Sequence, residues 1–470
     1  MQHRSRLPTV SRILLSTALA FFLIFLCVLF LNLTGSRRVK LPPLPDQPSP
    51  ASQSDGDRRC DAFPHAANTL IIVKTGANVI YDKLPIQLLT ALRCARDPLI
   101  FSDLAQTLGP YRVYDVLDNV TEDIKNGPEF DYYRTLQDYQ KSGQDVRTLC
   151  ETSRDAAWKL DRFKFIHMLK KTWTMRPHHD WYAFVEDDTY LMWTNLMLWL
   201  ERLDPSEPLY LGSQTYFNNE AFAHGGSGII LSRETMSRVL DEDPDITARY
   251  DRIVQNEIYG DYTLMKALQE KGISLGLYKP MLQGEKQNTL RFGPGRYLGE
   301  RYWCQPLITM HHVTPVDVDS IWRFEQQRTD LTKPLLIADM YEYFMGRDLP
   351  SSSREDDWYN FSEDLFFRSP EVVHGDRQLP PDEMTPVQKE AHQSFEQCAK
   401  ACDEHPRCFQ YVHVSSSSQQ TCAFSFSYRL GERRLPGPEG TRYQSGWNMA
   451  KIVRDQAENA CHSPQWSGFN

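Results

Sequence analysis

The sequence has no excess of basic residues, and this argues against one class of protein, the broad nucleic-acid binders. It holds 52 lysines and arginines against 61 aspartates and glutamates, a formal net charge of -9. Broad nucleic-acid binding needs a clustered basic surface, so this balance argues against it. The chain also lacks the composition of a disordered protein. Its 470 residues are 41% hydrophobic, enough for a large core and more than one domain.

Long apolar runs are absent except at one place near the N-terminus. Residues 13–33, "ILLSTALAFFLIFLCVLFLNL", carry no charge. A bilayer-spanning helix needs about 20 apolar residues, whereas the apolar part of a cleaved signal peptide usually has about 7 to 15. We therefore expect an uncleaved signal anchor over 13–33, after a cytoplasmic tail over 1–12. Basic residues flank the run equally on both sides, so they do not decide its orientation.

Only one of the ten cysteines lies within this apolar run, and the other nine follow it. The sequons at Asn119 ("NVT") and Asn360 ("NFS") follow it as well. Clustered cysteines and sequons are typical of an oxidising, glycosylating lumen. They predict a single-pass type II membrane protein with its C-terminal part in the lumen and glycans at Asn119 and Asn360. Chance sequons and reduced, buried cysteines remain the alternative.

The rest of the chain divides by composition. Residues 34–60 are rich in proline, serine and aspartate and predict an extended stem. Between 61 and 345, strand-like and helix-like segments alternate, beginning with "NTLIIVKTG", "KLPIQLLTALRCAR" and "DPLIFSDL". Strand, helix and strand in succession predict a βαβ unit, a parallel sheet and an α/β domain. Residues 346–390 have the composition of a linker.

A cysteine-rich segment follows the linker. Four cysteines spaced C-x3-C-x5-C-x13-C between Cys398 and Cys422 predict a small α+β module over 391–458 that disulfides hold together, with a tail over 459–470. Four cysteines allow three pairings, so spacing alone does not fix them. The other cysteines after the anchor are Cys60, Cys94, Cys150, Cys304 and Cys461. Their odd number leaves one free or intermolecular, and a disulfide-linked homodimer stays open.

Three carboxylates follow a predicted buried strand, "WYAFV". They are Glu186, Asp187 and Asp188. Ligands of open α/β sheets bind at the carboxyl ends of strands. Adjacent carboxylates repel one another, and a divalent cation such as Mn²⁺ or Mg²⁺ neutralises them. Without further context, three acidic residues in a turn are more often a solvated loop or a helix cap.

Several motifs in this order resemble glycosyltransferase family 31. They are "WYAFVEDDTYL", "GGSGIILS", "GDYTLMKAL" and "MHHV", and the resemblance is greatest to the Fringe and core 1 β1,3-galactosyltransferase branch. "IIVKTGANVIYDKLPIQLLTALR" with "LIFSD" also resembles the opening nucleotide-binding unit of Fringe. The resemblance implies a GT-A fold, a Rossmann-like domain with a mixed sheet. It also implies a UDP-sugar donor, Mn²⁺ with Mg²⁺ as an alternative, and inversion at the anomeric carbon.

The resemblance also implies a metal site. Asp188 is the direct metal ligand, and Asp187 lies close to the metal and the ribose. His311 completes the metal site, with the neighbouring His312 as an alternative. Glu186 stands where aspartate is common in the family and is expected beside the nucleotide. A lone histidine on a strand is more often structural, so the ligand role rests on the resemblance.

The resemblance assigns the remaining site residues as well. Asp261 matches the base that takes the proton of the acceptor hydroxyl, and capping the following helix is its alternative role. Lys74, Thr75 and Asp103 match positions that line the uridine pocket. The glycine loop is expected to let backbone approach the donor sugar or the acceptor, or else to form a plain tight turn. It comprises Gly225, Gly226 and Gly228.

The cysteine-rich segment resembles a PAN or apple domain. That resemblance implies nested disulfides, Cys398 with Cys422 and Cys402 with Cys408. Such modules bind proteins or carbohydrates and carry no chemistry of their own, and a purely stabilising role is equally open.

Together these features predict a type II Golgi membrane enzyme with a lumenal catalytic domain. It is expected to transfer a hexose from a UDP-sugar to a glycan acceptor on glycoproteins or glycolipids, with a β1,3 linkage. UDP-galactose is favoured over UDP-GlcNAc as the donor. The main alternative is a catalytically silent Golgi or surface protein that binds glycans or partners through its C-terminal module. A metal-dependent lumenal hydrolase is a third hypothesis.

Overall fold

The structure is a computed structural model that describes residues 58–150, 152–278, 280–294, 302–346, 349, 354–369 and 377–467. The predicted cytoplasmic tail and anchor, and the predicted stem up to residue 57, lie outside the described residues. Within the described ranges, no helix is both long enough and apolar enough to cross a membrane. These ranges belong to one compact unit.

The strands are, in chain order, β1 (Thr69–Lys74), β2 (Leu99–Ser102), β3 (Gln106–Leu108), β4 (Tyr111–Asp115), β5 (Trp181–Glu186), β6 (Tyr190–Leu191), β7 (Tyr210–Gly212), β8 (Gln214–Phe217), β9 (Glu220–Ala223), β10 (Ile229–Ser232), β11 (Leu275–Leu277), β12 (Thr309–Met310), β13 (Glu355–Asp356), β14 (Trp358–Tyr359), β15 (Leu365–Arg368), β16 (Gln410–Ser415), β17 (Gln420–Ser425), β18 (Glu432–Arg433) and β19 (Arg442–Trp447).

The α-helices are α1 (Arg58–Asp61), α2 (Ile80–Leu89), α3 (Glu122–Lys125), α4 (Asp131–Lys141), α5 (Arg154–Asp161), α6 (Lys164–Met175), α7 (Trp193–Leu200), α8 (Arg233–Leu240), α9 (Ile246–Val254), α10 (Gly260–Gln269), α11 (Pro315–Gln326), α12 (Ile337–Met340), α13 (Pro386–Glu390), α14 (Phe395–Glu404) and α15 (Met449–Glu458).

An eight-stranded mixed sheet forms the centre of the α/β region, in the order β11-β7-β10-β5-β1-β2-β4-β3. β1 pairs in parallel with β2 and β5, whereas β10 is antiparallel to β5 and β7. All six residues of β1, "TLIIVK", are buried. A parallel strand covered on both faces has this continuous apolar sequence. The mixed sheet confirms the predicted α/β class and fits the GT-A fold.

Helices cover both faces of this sheet. On one face α6 packs with α8, α9 and α10, and side chains such as Ile166, Met236 and Tyr262 form the core. On the other face α2 and α7 contribute Leu84 and Leu196 to a second core. The carboxyl ends of β1, β2 and β5 lie at one edge of the sheet, where loops rather than helices follow them. The candidate site lies at this edge.

The C-terminal module is built around a five-stranded antiparallel sheet in the order β13-β19-β16-β17-β15. α14 packs against β16 and β17, and its two cysteines are fully buried. The disulfides join Cys398 to Cys422 and Cys402 to Cys408. These are the pairs that the resemblance to PAN domains implies.

The segment predicted as a linker, 346–390, is not a plain linker. β13 pairs with β19, and β15 pairs with β17, so the segment supplies both edge strands of the C-terminal sheet. Within β15 only Phe367 is fully buried. Edge strands are short and partly polar, so their composition resembles that of a loop until the partner strand is known.

Disulfides also tie the two ends of the described chain to the α/β region. Cys60 pairs with Cys94, and Cys304 pairs with Cys461. The described part of the segment predicted as a tail, 459–467, is therefore fastened to the preceding structure by a covalent bond. Its Gln465 N–H also donates to the Cys304 carbonyl at 2.9 Å. Among the described residues, Cys150 is the cysteine that has no disulfide partner within the chain, and it is half-buried.

The two predicted sequons differ in exposure, and the structure contradicts glycosylation at Asn360. That side chain is 0% exposed, and its Nδ2 donates to the carbonyls of Tyr411 at 3.1 Å and Gly446 at 3.3 Å. An attached glycan would break both bonds and would need space that the packed module does not offer. Asn119 is exposed and remains available.

We expect a glycan at Asn119 and none at Asn360 when residues 58–470 are secreted from eukaryotic cells. Glycopeptide mass spectrometry measures the occupancy of each site directly. Asn119→Gln should remove the glycosidase-sensitive gel shift, whereas Ser362→Ala, which destroys the second sequon, should leave it unchanged. High occupancy at Asn360 in the folded, secreted protein would contradict the buried placement of this side chain.

Candidate functional site

The acidic turn lies where β1 and β5 end side by side. Lys74, the last residue of β1, is the register partner of Glu186, the last residue of β5. The Asp187 N–H donates to the Lys74 carbonyl at 3.1 Å, which holds the turn against β1. Thr189 Oγ1 donates to the Gly226 carbonyl at 2.8 Å and fixes the far side of the turn. The turn is therefore anchored on both sides.

Asp188, His311 and His312 form a group that can hold a metal ion. Each offers one ligand atom, and these atoms lie within 4.8 Å of one another. His311 Nε2 is 3.1 Å from Asp188 Oδ1 and 3.8 Å from Glu186 Oε2. His311 Nδ1 is buried and has no hydrogen-bond partner among the described residues. Carboxylate oxygen and imidazole nitrogen suit Mn²⁺, so the donor set fits the predicted ion.

Charge pairing dominates the electrostatics of this group. Burial alone would raise the pKa of Asp188, but His311 and Lys83 outweigh it and lower that pKa to about 2. Burial likewise opposes a proton on His311, but Asp188 and Glu186 outweigh burial and raise the pKa of His311 to about 9. In the metal-free protein the two side chains thus form an ion pair, and a cation binding here replaces the imidazolium charge.

Lys83, which the sequence interpretation did not single out, completes the charge balance. Its Nζ lies 3.1 Å from Asp187 Oδ1 and 3.0 Å from Asp188 Oδ2. Burial opposes the ammonium charge, but the two aspartates outweigh it and raise the pKa of Lys83 above its usual value. Lys83 lies in the first turns of α2, within the segment that resembles Fringe. Its place within the Fringe-like segment was the sequence signal that could have pointed to Lys83.

We expect Lys83→Gln to bind Mn²⁺ about threefold to tenfold more tightly in the absence of nucleotide. The ammonium group competes with the metal for the same carboxylates, and its removal leaves their charge to the ion. Isothermal titration with Mn²⁺ measures the change. Lys141→Gln, on the exposed end of α4, is the matched control and should behave like the wild type. Weaker binding by Lys83→Gln would show that the lysine supports the site instead of competing.

A buried ionic network underlies the acidic turn. Lys74 pairs with Asp161 and, at 2.9 Å, with Glu186. The same Asp161 accepts from Lys164 at 3.2 Å. Burial opposes the charge on Lys74, but Asp161 and Glu186 outweigh it and raise the pKa of Lys74. The buried ammonium group of Lys74, which would otherwise be strongly disfavoured, is thus compensated by these two partly exposed carboxylates.

Asp103 and Thr75 lie among the buried polar residues around the acidic turn. Asp103 is 2% exposed, accepts from the Ala77 N–H at 2.7 Å and pairs with Lys164 at 3.2 Å. Thr75 Oγ1 donates to Asp187 Oδ2 at 2.6 Å. The structure thus brings the predicted uridine-pocket residues next to the acidic turn, with their polar atoms engaged by protein partners. Their contact with uridine remains a prediction.

Asp261 lies in the first turn of α10 and faces the glycine loop. The Gly225 N–H donates to Asp261 Oδ2 at 2.8 Å, and the Tyr262 N–H donates to Oδ1 at 2.9 Å. Burial raises the pKa of Asp261 to about 6, although these hydrogen bonds and Lys74 act to lower it. A carboxyl group with a pKa close to neutrality, held in one orientation, has the properties of a general base.

The glycine loop connects Asp261 to the metal-binding group. A Cβ atom at Gly226 would lie 2.2 Å from His311 Cε1, so only glycine lets the imidazole approach this closely. A Cβ atom at Gly225 would lie 2.9 Å from the Phe165 ring. Gly228 has φ +88°, a conformation that other residues rarely adopt. The glycines are thus required by contacts within the protein, and their predicted approach to a donor sugar or acceptor stays a prediction.

Comparison with known families finds a match over part of the chain. A large mixed sheet with an acidic turn at its carboxyl edge fits the GT-A class of nucleotide-sugar enzymes. Residues 67–256 match the family model described as Fringe-like. This match supports a family 31 glycosyltransferase domain and bears out the predicted resemblance to Fringe over that range. The matched range includes Asp188, whereas Asp261, His311 and the C-terminal module lie beyond it.

Proposed function

We propose that the protein is an inverting glycosyltransferase that uses a UDP-sugar and a divalent cation. One observation carries the proposal: a single glycine turn contacts both the Asp261 carboxylate, through Gly225, and the His311 imidazole, through Gly226. A candidate base and a candidate metal ligand thus lie on either side of one short loop. The Fringe-like domain supports glycosyl transfer as the class of reaction.

Asp261 is the proposed acceptor of the proton from the attacking hydroxyl. At neutral pH a carboxyl group with a pKa of about 6 is mostly ionised, yet it is more basic than an exposed aspartate. The amides of Gly225 and Tyr262 hold its two oxygens, so the carboxylate does not need to reorient before it accepts the proton.

The departing nucleotide is negatively charged and needs compensation. Asp188, His311 and His312 are the residues that would hold Mn²⁺ or Mg²⁺, and Asp187 lies beside them. When bound, the cation supplies charge neutralisation to the leaving diphosphate. Lys74 and Lys83 keep the neighbouring carboxylates paired, so the acidic turn holds its shape before the nucleotide arrives.

The proposal extends to substrate and location. The motif order favours a β1,3 linkage to a glycan acceptor, with UDP-galactose as the donor and UDP-GlcNAc as the alternative. Four disulfides in the described residues suit an oxidising compartment. Together with the apolar run at 13–33, they support a type II protein whose catalytic domain faces the Golgi lumen.

The proposal is tested by the release of UDP from a panel of UDP-sugars by secreted residues 58–470. Reactions contain Mn²⁺ or EDTA, with and without a mixture of glycan acceptors. We expect one donor to be turned over, stimulation by acceptors, and loss of turnover in EDTA. Release of UDP without any effect of acceptors would favour a hydrolase. A folded protein that binds no UDP and turns over no donor would favour the catalytically silent alternative.

A further inference from the structure

Three aromatic side chains form a partly exposed surface next to Asp261. We call this surface the aromatic platform and define it as Trp158, Phe217 and Tyr259. Trp158 is 54% exposed and Tyr259 is 38% exposed. The Tyr259 ring lies 6.0 Å from the Trp158 ring and 5.2 Å from the Phe217 ring, both in edge-to-face geometry. Large apolar rings exposed side by side are unusual and often mark a binding surface.

The platform is held in place by the surrounding structure. Phe217 also packs edge-to-face on Tyr262, with ring centroids 5.2 Å apart. Arg162, directly after α5, donates to the Glu257 carbonyl at 2.8 Å and so ties the helix that carries Trp158 to the segment that carries Tyr259. The three rings therefore keep their relative positions although they come from α5, β8 and the segment before α10.

Two segments lead from the platform to the proposed base. Tyr259 is the cap residue of α10, and Asp261 is in the first turn of that helix. Phe217 ends β8, whose hairpin partner β9 runs into His224 and then Gly225, the residue that donates to Asp261. A molecule that covers the platform therefore lies beside the carboxylate that would take its proton.

The chemistry of the platform matches a sugar ring. The C–H face of a pyranose is apolar and packs on an aromatic ring, while its hydroxyl groups stay at the edge, where polar groups can reach them. Tyr259 is 38% exposed and so leaves part of its ring free for such a contact, and its own hydroxyl adds a polar group. The neighbouring Glu220 is exposed and already accepts from Tyr262, so a carboxylate is also present at this rim.

We propose that the aromatic platform is the acceptor subsite, on which a pyranose ring of the acceptor stacks against Tyr259 with a hydroxyl group directed at Asp261. This inference rests on the proposed function and names the part of the substrate that the platform binds. In this arrangement the donor nucleotide binds separately, at the acidic turn. The platform thus determines which acceptors are used and does not affect donor binding.

The test compares Tyr259→Ala and Trp158→Ala with Tyr216→Ala in the protein loaded with Mn²⁺ and UDP. Tyr216 is 65% exposed and precedes Phe217 in β8, so its side chain leaves the opposite face of the strand. Saturation-transfer NMR with methyl glycosides of galactose, glucose, mannose, N-acetylgalactosamine and N-acetylglucosamine reports contact with sugar ring protons. Isothermal titration of UDP reports the donor site separately.

We expect at least one methyl glycoside to bind the wild type and to lose its ring-proton signal in Tyr259→Ala. The affinity should fall about tenfold. Tyr259→Phe should restore the contact, Tyr216→Ala should resemble the wild type, and the affinity for UDP should be unchanged throughout. Acceptor KM should rise in Tyr259→Ala while the KM for the UDP-sugar stays constant.

Three results would overturn the inference. The first is that no methyl glycoside binds a wild type that binds UDP. The second is that Tyr259→Ala and Tyr216→Ala behave alike. The third is that the platform variants change a dimer into a monomer by light scattering while glycoside binding stays intact, which would assign the surface to a second copy of the chain. Failure to bind UDP at all would instead contradict the proposed function.

Discussion

Asp261→Asn is expected to lower kcat/KM for the acceptor roughly 1,000-fold. The amide cannot take up the proton of the attacking hydroxyl, whereas its size and its contact with the Gly225 amide are largely kept. Affinities for UDP and Mn²⁺ should not change, because the acidic turn is untouched. Asp155→Asn is the matched control, since Asp155 is another aspartate in a first helical turn but is exposed. It should keep full activity and a similar melting temperature.

The pH dependence of the wild type tests the same residue. Only the ionised carboxylate accepts a proton, and burial raises its pKa to about 6, with Lys74 lowering it and Glu186 raising it as the nearby charges. We therefore expect kcat/KM to fall tenfold per pH unit below about 6 and to level off above it. An inflection near the usual aspartate value, or Asp261→Asn with more than a tenth of the wild-type activity, would contradict the role of Asp261 as the base.

Asp188→Asn is expected to weaken Mn²⁺ binding about 100-fold and to abolish the metal-dependent part of turnover. The variant loses a carboxylate that would hold the metal together with His311, and the imidazole loses the partner that lies 3.1 Å away. Isothermal titration with Mn²⁺ and UDP release with added metal measure the two effects. Asp204→Asn changes an exposed aspartate whose side chain accepts from Ser206 and serves as the control. Normal Mn²⁺ affinity in Asp188→Asn would exclude this residue as a ligand.

The buried strands and the order of the motifs could be predicted from the sequence. β1, β2 and β5 are runs of apolar residues with no alternation, because both faces of a parallel strand are covered. Asp188 follows the end of β5, and Asp261 lies in the first turn of α10. The local sequence pattern defines both elements. Local patterns are sufficient for such residues, since their position depends on where a strand ends or a helix begins.

Contacts between distant parts of the chain could not be predicted in this way. Lys83 reaches Asp187 across 104 positions, and Lys74 reaches Asp161 across 87. A lysine in a helix, such as Lys83, or at the end of a strand, such as Lys74, usually points to solvent, and no local pattern separates these two from that majority. Only the packing of α2 and α5 against the ends of β1 and β5 brings the charges together.

The sequon at Asn360 shows that a local motif can also predict a feature that the tertiary structure does not allow. "NFS" is a complete local signal for glycosylation, yet the side chain is enclosed by β16 and β19 through its bonds to Tyr411 and Gly446. The short edge strands β13 and β15 were missed for a related reason, because pairing with strands that lie far along the chain defines them. Burial and pairing are tertiary properties, so a pattern of three or four residues does not contain them.

The most direct test of inverting transfer is the anomeric configuration of the first product. Residues 58–470 are incubated with the donor that the panel identifies, Mn²⁺ and an accepted methyl glycoside, and the new linkage is observed by ¹H NMR before any secondary reaction. Because Asp261 would act as a base for direct attack on an α-linked UDP-sugar, we expect a β-linked product. An α-linked product would contradict the direct displacement and the assignment of Asp261 as its base.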